Sequence, residues 1–416
     1  MGHVVPTPAG NYRANWREPS GRQRSKTFKT QREAKAFLAQ IEAAKTQGLY
    51  VSPHAGRTLF REHADRWMEV RRTEVTTAAR DASVMRTHVL PQWGDWPLAK
   101  IDDLSVQRWV TELAGRRSQP VVAKCLQLTS AVMRSAVRNR LIATNPCEGV
   151  RVPKRRKRDS DGRMITREQL HERLLPAVPA QYRGVVALAA GCGLRWGEIA
   201  GLRWDAVDLE REELRVLRTV VEVAGHTMPK PYPKSRAGRR TLPVPKFAAE
   251  LLREQAVRAG ANPSDLVFPN REGKPLLRGL FRARIWRPSL VRAGLLGRVT
   301  PGEGGYEARW LNAGGVEQHA IFGRHHEAVM HVARHHAGGL RLHDLRHCYG
   351  TWLVSDGVPI NVVQTVMGHE RAATTLGLYV DTPDELTNRV RDVFERTEND
   401  PDDPDEGSAG VPAPAR

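Results

Sequence analysis

Residues 151–163 read RVPKRRKRDSDGR, a basic run broken by Pro and Gly, and it is the clearest linker in the chain. It divides the 416 residues so that they fold around more than one core. A domain of roughly 150 residues is the usual size, which sets the expectation at two or three domains. Lying between two basic segments, the run reads either as a solvated hinge or as a strap crossing a phosphate backbone. Lys154, Arg155, Arg156, Lys157 and Arg158 are its candidate contacts.

Charge narrows the partner. The chain carries 65 Lys and Arg against 46 Asp and Glu, a net charge of +19, and such a field attracts polyanions. Charge alone does not separate DNA from RNA or from a membrane surface. The start, MGHVVPTPAG, turns polar and basic without the apolar core of a signal peptide. The longest apolar stretch, near Val185 to Ala190, falls far short of the roughly 20 residues of a spanning helix. Secretion and membrane insertion are therefore not expected. Cys125, Cys147, Cys192 and Cys348 stand far apart with no CxxC pair, which points to free thiols in a reducing cytoplasm and away from structural zinc.

Residues 1–50 hold Arg13, Arg17, Arg22, Arg24 and Lys26 among their cations. Tyr12 to Arg17 alternates as a strand, Pro19-Ser20-Gly21 turns, and Gln23 to Phe28 forms a second strand. Thr30 and Glu33 make a capping box before a helix with Ala34, Phe37, Leu38, Ile41 and Ala44 on one face. A basic face on so small a core suits nucleic acid. Residues 57–150 read as about four helices, the last spanning Val121 to Leu141 with Lys124, Arg134 and Arg138 on or near it. Those three cations fit a DNA-facing surface and equally a plain solvated helix face.

The larger remainder, about 164–395, is mixed. Helical patterns cover Arg167 to Leu175 and Tyr182 to Cys192; Leu214 to Val223 is β-rich; Arg239 to Val244 and Leu266 to Phe268 read as short strands. The tail 397–416 is acidic and rich in Pro, Gly and Ala, so disorder is expected.

Four local patterns carry chemistry. In GLRWGEIAGLRW, Arg195 and Glu198 lie three apart and share a helical face. In LHDLRH, His343 and Arg346 repeat that spacing. Val366-Met367-Gly368 brings His369 just past a short helix starting near Pro359, and Tyr379 follows ten residues later. A guanidinium offers a planar fork of donors to two oxygens of one phosphate. A phenol attacking phosphorus stores the bond energy in a covalent phosphotyrosine, but its ordinary pKa of about 10 requires a cation or base nearby.

Together these motifs resemble the tyrosine recombinases of the phage integrase family, particularly integrases of actinobacterial phages and integrative elements, over nearly the whole chain to about residue 395. The segment PKSRAGRRTLPVP resembles the hairpin that carries the family's Lys, and it gives Lys234. The resemblance implies a multidomain fold: an N-terminal β-hairpin/helix arm-binding module (1–50), either abbreviated or with a first strand drawn from Val4 to Pro6, an all-α four-helix core-binding domain (57–150), and a mixed α+β, mainly helical catalytic domain (164–395). It implies Tyr379 as nucleophile, Lys234 as general acid at the leaving 5′-oxygen, and His343 assisting proton transfer at the nucleophile. Arg195, Arg346 and His369 would hold the phosphate, with Glu198 orienting the cations. It implies no metal or other cofactor. The implied partners are double-stranded attachment-site DNA, a homotetramer on that DNA, a directionality factor and a host DNA-bending protein, in the cytoplasm of a bacterial host. Two alternatives stand beside integration: a dimer-resolving recombinase and a catalytically inactive DNA-binding relative.

One departure from the family is a Gly- and His-rich stretch near 294–340. His319, His325, His326, His331, His335 and His336 crowd into it, and His331 and His335 are spaced to share one helical face. A surface insertion, a metal site and a DNA contact remain open for it. Trp196 and Trp204 are expected in the core.

Overall fold

A computed structural model describes residues 2–18, 21–46, 50, 55–153, 164–230, 238–260 and 265–369. The chain divides into two compact units, 1–159 and 160–416. Among the described residues no helix is long and apolar enough to cross a membrane.

In the first unit, strands His3–Pro6, Tyr12–Arg17 and Gln23–Phe28 form an antiparallel sheet in that order. Alternation along the middle strand sends Ala14 and Trp16 inward against Ala34, Leu38 and Ile41 of the helix Gln31–Thr46. The expected capping box is present in both directions: Glu33 N–H donates to Thr30 Oγ1 at 3.2 Å, and Thr30 N–H to Glu33 Oε2 at 3.3 Å. Trp16 meets its polar requirement by donating to the Tyr50 hydroxyl at 2.8 Å.

Helices Phe60–Glu69, Val75–Val84, Asp103–Arg116 and Gln119–Arg138 surround a second core centred on Phe60, Trp93, Trp109, Leu128 and Met133. A π turn, Met85–Val89, extends the second helix toward Leu90–Trp93. Asp102 starts the third by accepting from Ser105 N–H at 2.7 Å. Asp81 is fully buried in this unit, held by Arg71 at 2.7 Å and Lys124 at 2.8 Å.

The second unit packs helices Ala180–Gly191, Lys246–Ala259 and Leu342–Ser355 into one core with a small sheet, Val207–Asp208, Glu213–Val216 and Arg240–Pro243. The stretch read from sequence as β-rich, Leu214 to Val223, is broken at Leu217–Arg218. Its second half, Thr219–Val223, leaves the sheet to form a separate hairpin with His226–Lys230. Leu266 to Phe268, expected as a strand, joins no sheet among the described residues: it makes an isolated bridge to Arg203, and Val267 N–H donates to the Leu202 carbonyl at 2.9 Å. Its apolarity reflects burial, which periodicity cannot tell from strand pairing.

The Gly/His-rich stretch is a folded part of this unit. Strands Arg298–Gly302, Gly305–Leu311 and Glu317–Phe322 form an antiparallel sheet, and helix His325–His335 sends Ala328, Val329, Val332 and Ala333 into the main core. Buried Arg287 closes the end of that helix, donating to the carbonyls of Gly338 at 2.8 Å and His336 at 2.6 Å.

Candidate active site

Helix Ala180–Gly191 ends at Cys192, and Gly193 turns the chain with φ +59°. A Cβ there would lie 2.4 Å from the Tyr349 ring, so both the backbone angle and the space require glycine. The turn delivers Arg195 to the N-cap of the short helix Trp196–Ala200. Glu198 reaches back, accepting from Arg195 N–H at 2.9 Å through Oε2 and from Arg195 Nη1 at 2.9 Å through Oε1. From the other side Arg240 donates to both carboxylate oxygens, at 3.2 and 3.0 Å. Glu198 is 5% exposed and the Arg240 side chain 4%. Burial alone would raise the Glu198 pKa, but the Arg240 hydrogen bonds and charge, joined by Arg195, outweigh it and hold the group below the usual carboxylate value.

Helix Leu342–Ser355 begins with a similar device: Arg341 N–H donates to Asp344 Oδ2 at 2.7 Å. Leu345 is buried and fixes the helix face, carrying Arg346 into the interior at 2% exposure. Arg346 donates through Nη1 to the Gly193 carbonyl and through Nη2 to the Met367 carbonyl. Burial, then repulsion from Arg195, pushes its pKa down to about 9, which still leaves it cationic at neutral pH.

The third segment completes the cluster. Helix Ile360–Met367 is closed by Gly368 in the left-handed region, φ +60°. Arg195 Nη2 donates to the Gly368 carbonyl at 3.0 Å. Two guanidinium groups thus rest on successive carbonyls, Met367 and Gly368, immediately before His369. Burial, then Arg346 and Arg195, drives the His369 pKa to about 4, so its imidazole is neutral beside two cations. His343 lies on the same helix as Arg346 and is exposed; desolvation, then His347 and Arg346, lowers its pKa as well. Such an arrangement can grip one phosphate by charge and by donors aimed from fixed carbonyl anchors.

Arg195, Glu198, His343, Arg346 and His369 are therefore brought together. Arg240 belongs with them and was missed in the sequence. It also donates through Nε to the Val366 carbonyl at 2.7 Å, tying the strand Arg240–Pro243 to the His369 turn. The only sequence signal was an arginine opening a strand. Lys234 and Tyr379 lie outside the described residues, as do Lys154 to Arg158 and the acidic tail. Trp196 and Trp204 pack half-buried against the core.

The N-terminal cations separate by strand alternation. Arg13 and Arg17 point away from the helix and are exposed, as is Arg22 in the turn. Arg24 pairs with Glu18 at 3.0 Å, and Lys26 lies on the helix side, its Nζ 5.1 and 5.0 Å from the Phe28 and Phe37 rings. Lys124 is committed to buried Asp81; Arg134 and Arg138 are exposed.

In the insertion, His331 packs against Trp310 and Phe322, with ring centroids 4.5 and 4.9 Å away, and stacks on His335 at 4.1 Å. Among the described residues no three His, Cys, Asp or Glu side chains converge as a metal site would require. A groove of about 820 Å³ lined by Tyr182, Arg258, Phe268 and Phe281 contains none of the clustered site residues.

Models of the phage integrase family match residues 165–321 and 316–385, and the phage integrase central domain matches 60–152. The chain belongs to the phage integrase family. This integrase is 30% identical over 308 residues to the prophage phiRv2 integrase of Mycobacterium tuberculosis, covering 70% of this chain and 80% of that protein. With the tyrosine recombinases also among its relatives, it is a tyrosine-type site-specific recombinase. Its fold is that of the Tn1549 transposon integrase, solved with a circular intermediate DNA (TM-score 0.59, 16% identity, 80% of this chain and 99% of that one). Lambda integrase, solved as a dimer bound to a core site, has the same fold (TM-score 0.51, 15% identity, 90% and 93%). It has also been solved as a tetramer bound to a Holliday junction (TM-score 0.50, 14%, 90% and 94%).

Proposed function

We propose that this integrase cleaves and rejoins DNA through a 3′-phosphotyrosine at Tyr379, integrating and excising a phage or other mobile element. The Tyr379 oxygen attacks a phosphodiester gripped by Arg195, Arg346 and His369. The new O–P bond forms as the bond to the 5′-oxygen breaks. His343 takes the phenolic proton and Lys234 supplies one to the leaving oxygen. Rejoining reverses these steps, so the bond energy is kept. Glu198 and Arg240 touch no DNA in this scheme; they set the direction of the Arg195 fork.

The observation that carries the reading is the pair of guanidinium groups anchored on the Met367 and Gly368 carbonyls beside a neutral His369. Among the described residues a tyrosine does stand near the cluster, but Tyr349 is 9% exposed and burial, then the Cys192 thiol, pushes its pKa up to about 12. Such a phenol is poorly placed to ionise or to meet DNA, which favours Tyr379.

Domain roles follow the same reading. Residues 1–50 bind arm-type DNA through the sheet face bearing Arg13 and Arg17, and 57–150 bind the core site with Arg134 and Arg138 at the backbone. Residues 151–163 link them to the catalytic domain, 164–395. The N-terminal sheet favours integration over simple dimer resolution. Attachment-site DNA, a homotetramer, a directionality factor and a host DNA-bending protein are the proposed partners; lambda integrase, whose fold this chain shares, has been seen as a tetramer on a Holliday junction. A nicked suicide substrate should trap a covalent protein–DNA adduct with the wild type and none with Tyr379→Phe. An adduct that persists in Tyr379→Phe would refute the assignment.

A further inference from the structure

Helix Leu342–Ser355 brings a third imidazole to the cluster. His347 stands one turn beyond His343, and their rings meet edge to face, centroids 5.0 Å apart and planes at 84°. His347 is half-buried between Arg346 and Cys348, both fully inside, so the helix cannot turn to withdraw it. His343, by contrast, is exposed and has no backbone anchor among its described contacts. An exposed base samples several rotamers unless a neighbour restricts it. His347 is the ring in contact with it from its own helix.

We infer that His347 is a positioning residue for strand cleavage, its ring holding the His343 imidazole in the orientation that receives the phenolic proton. The inference rests on the proposed role of His343. The ring's shape carries the effect, and charge does not. Asp344, Arg341 and Arg346 on the same helix face His347, while Arg195 and Arg346 surround neighbouring His369; burial in this largely cationic setting lowers the His347 pKa and keeps it neutral near pH 7. An edge-to-face contact needs an aromatic ring and tolerates any aromatic of similar size.

The test uses the full-length protein, a nicked suicide substrate and single-turnover adduct formation, with DNA affinity and thermal melting measured alongside. His347→Ala should slow adduct formation about tenfold, as misplacement of a reacting group does, with DNA affinity unchanged. His347→Phe should restore the rate to within about threefold of the wild type, because the ring contact is retained. In a His343→Ala background neither substitution should slow the reaction further. Should His347→Ala melt early, His347→Gln, which fills space without a ring, takes its place with the same expectation. A wild-type rate in His347→Ala, a His347→Phe as slow as His347→Ala, or an additive loss with His343→Ala would each overturn the inference. Absence of any adduct in the wild type would instead overturn the recombinase chemistry itself, so the two failures are distinguishable.

Discussion

Single side chains set the chemistry of this integrase through the company they keep. Glu198 is buried between Arg195 and Arg240, so losing Arg240 would leave the buried carboxylate held by Arg195 alone. Arg240→Met should therefore cost up to about 3–5 kcal/mol in urea unfolding; a loss below about 1 kcal/mol would show that Arg195 alone compensates the carboxylate. Because the folded Glu198 pKa is depressed, its contribution is present above the unfolded value near 4.5 and fades as pH falls below it. The cysteines give a simpler check. All four are buried and burial raises each thiol, so a thiol reagent should label none until the chain unfolds; rapid labelling of native protein would contradict the packing. Arg195 with Glu198, and His343 with Arg346, were legible because each pair sits within a short motif, GLRWGEIAGLRW or HDLRH, that resembles the family's. Arg240 was not, since its partners lie 42 residues before it and 126 after it, and a sequence read locally shows only one more arginine in a basic segment.

Elements place those side chains, and the tightest constraint is the turn at Gly193. Gly193→Ala would force a left-handed φ on a residue with a Cβ, costing about 1–3 kcal/mol before the clash with Tyr349 is counted. It would also shift the carbonyl that holds Arg346. Strand cleavage should fall much further than DNA affinity, as judged by adduct yield against binding measured at one salt concentration; equal losses in both would argue that the turn only supports folding. At this scale the capped N-terminal helix and the long helices of the first unit were readable from periodicity and capping residues. The insertion was not: its glycines and histidines left a surface insertion, a metal site and a DNA contact open, whereas cross-strand pairing and four small apolar residues on one helix pack it against the core. The hairpin Thr219–Val223 with His226–Lys230 also escaped notice although only Ala224 and Gly225 separate its strands, because the second strand, with Pro229 in it, shows no apolar alternation.

For the whole molecule, charge and protonation govern the meeting with DNA. His369 has a folded pKa near 4 against an ordinary value of 6.5, so in that interval the unfolded chain binds a proton that the folded chain refuses. Stability of the DNA-free protein should accordingly rise with pH from about 4 to about 6.5 and level off above. A phosphate beside His369 reverses the preference, so DNA binding should take up protons and tighten as pH falls from 7 to 5.5 at fixed ionic strength. Calorimetry in two buffers of different ionisation enthalpy reads that uptake directly, and a pH-independent affinity would contradict the placement of His369 at the phosphate. With a net charge of +19, binding should also weaken steeply with salt. Replacing Arg13 or Arg17 by Ala should reduce the salt slope by about 1 each if each neutralises a phosphate; an unchanged slope would remove the N-terminal sheet from the interface.

The most direct test is to find where DNA becomes attached. Wild-type integrase trapped on a nicked attachment-site substrate, digested with protease and sequenced by mass spectrometry, should yield one DNA-linked peptide, with Tyr379 joined to a 3′-phosphate. Attachment at Tyr349, linkage to a 5′-phosphate, or a trapped complex with no covalent bond would each contradict the account.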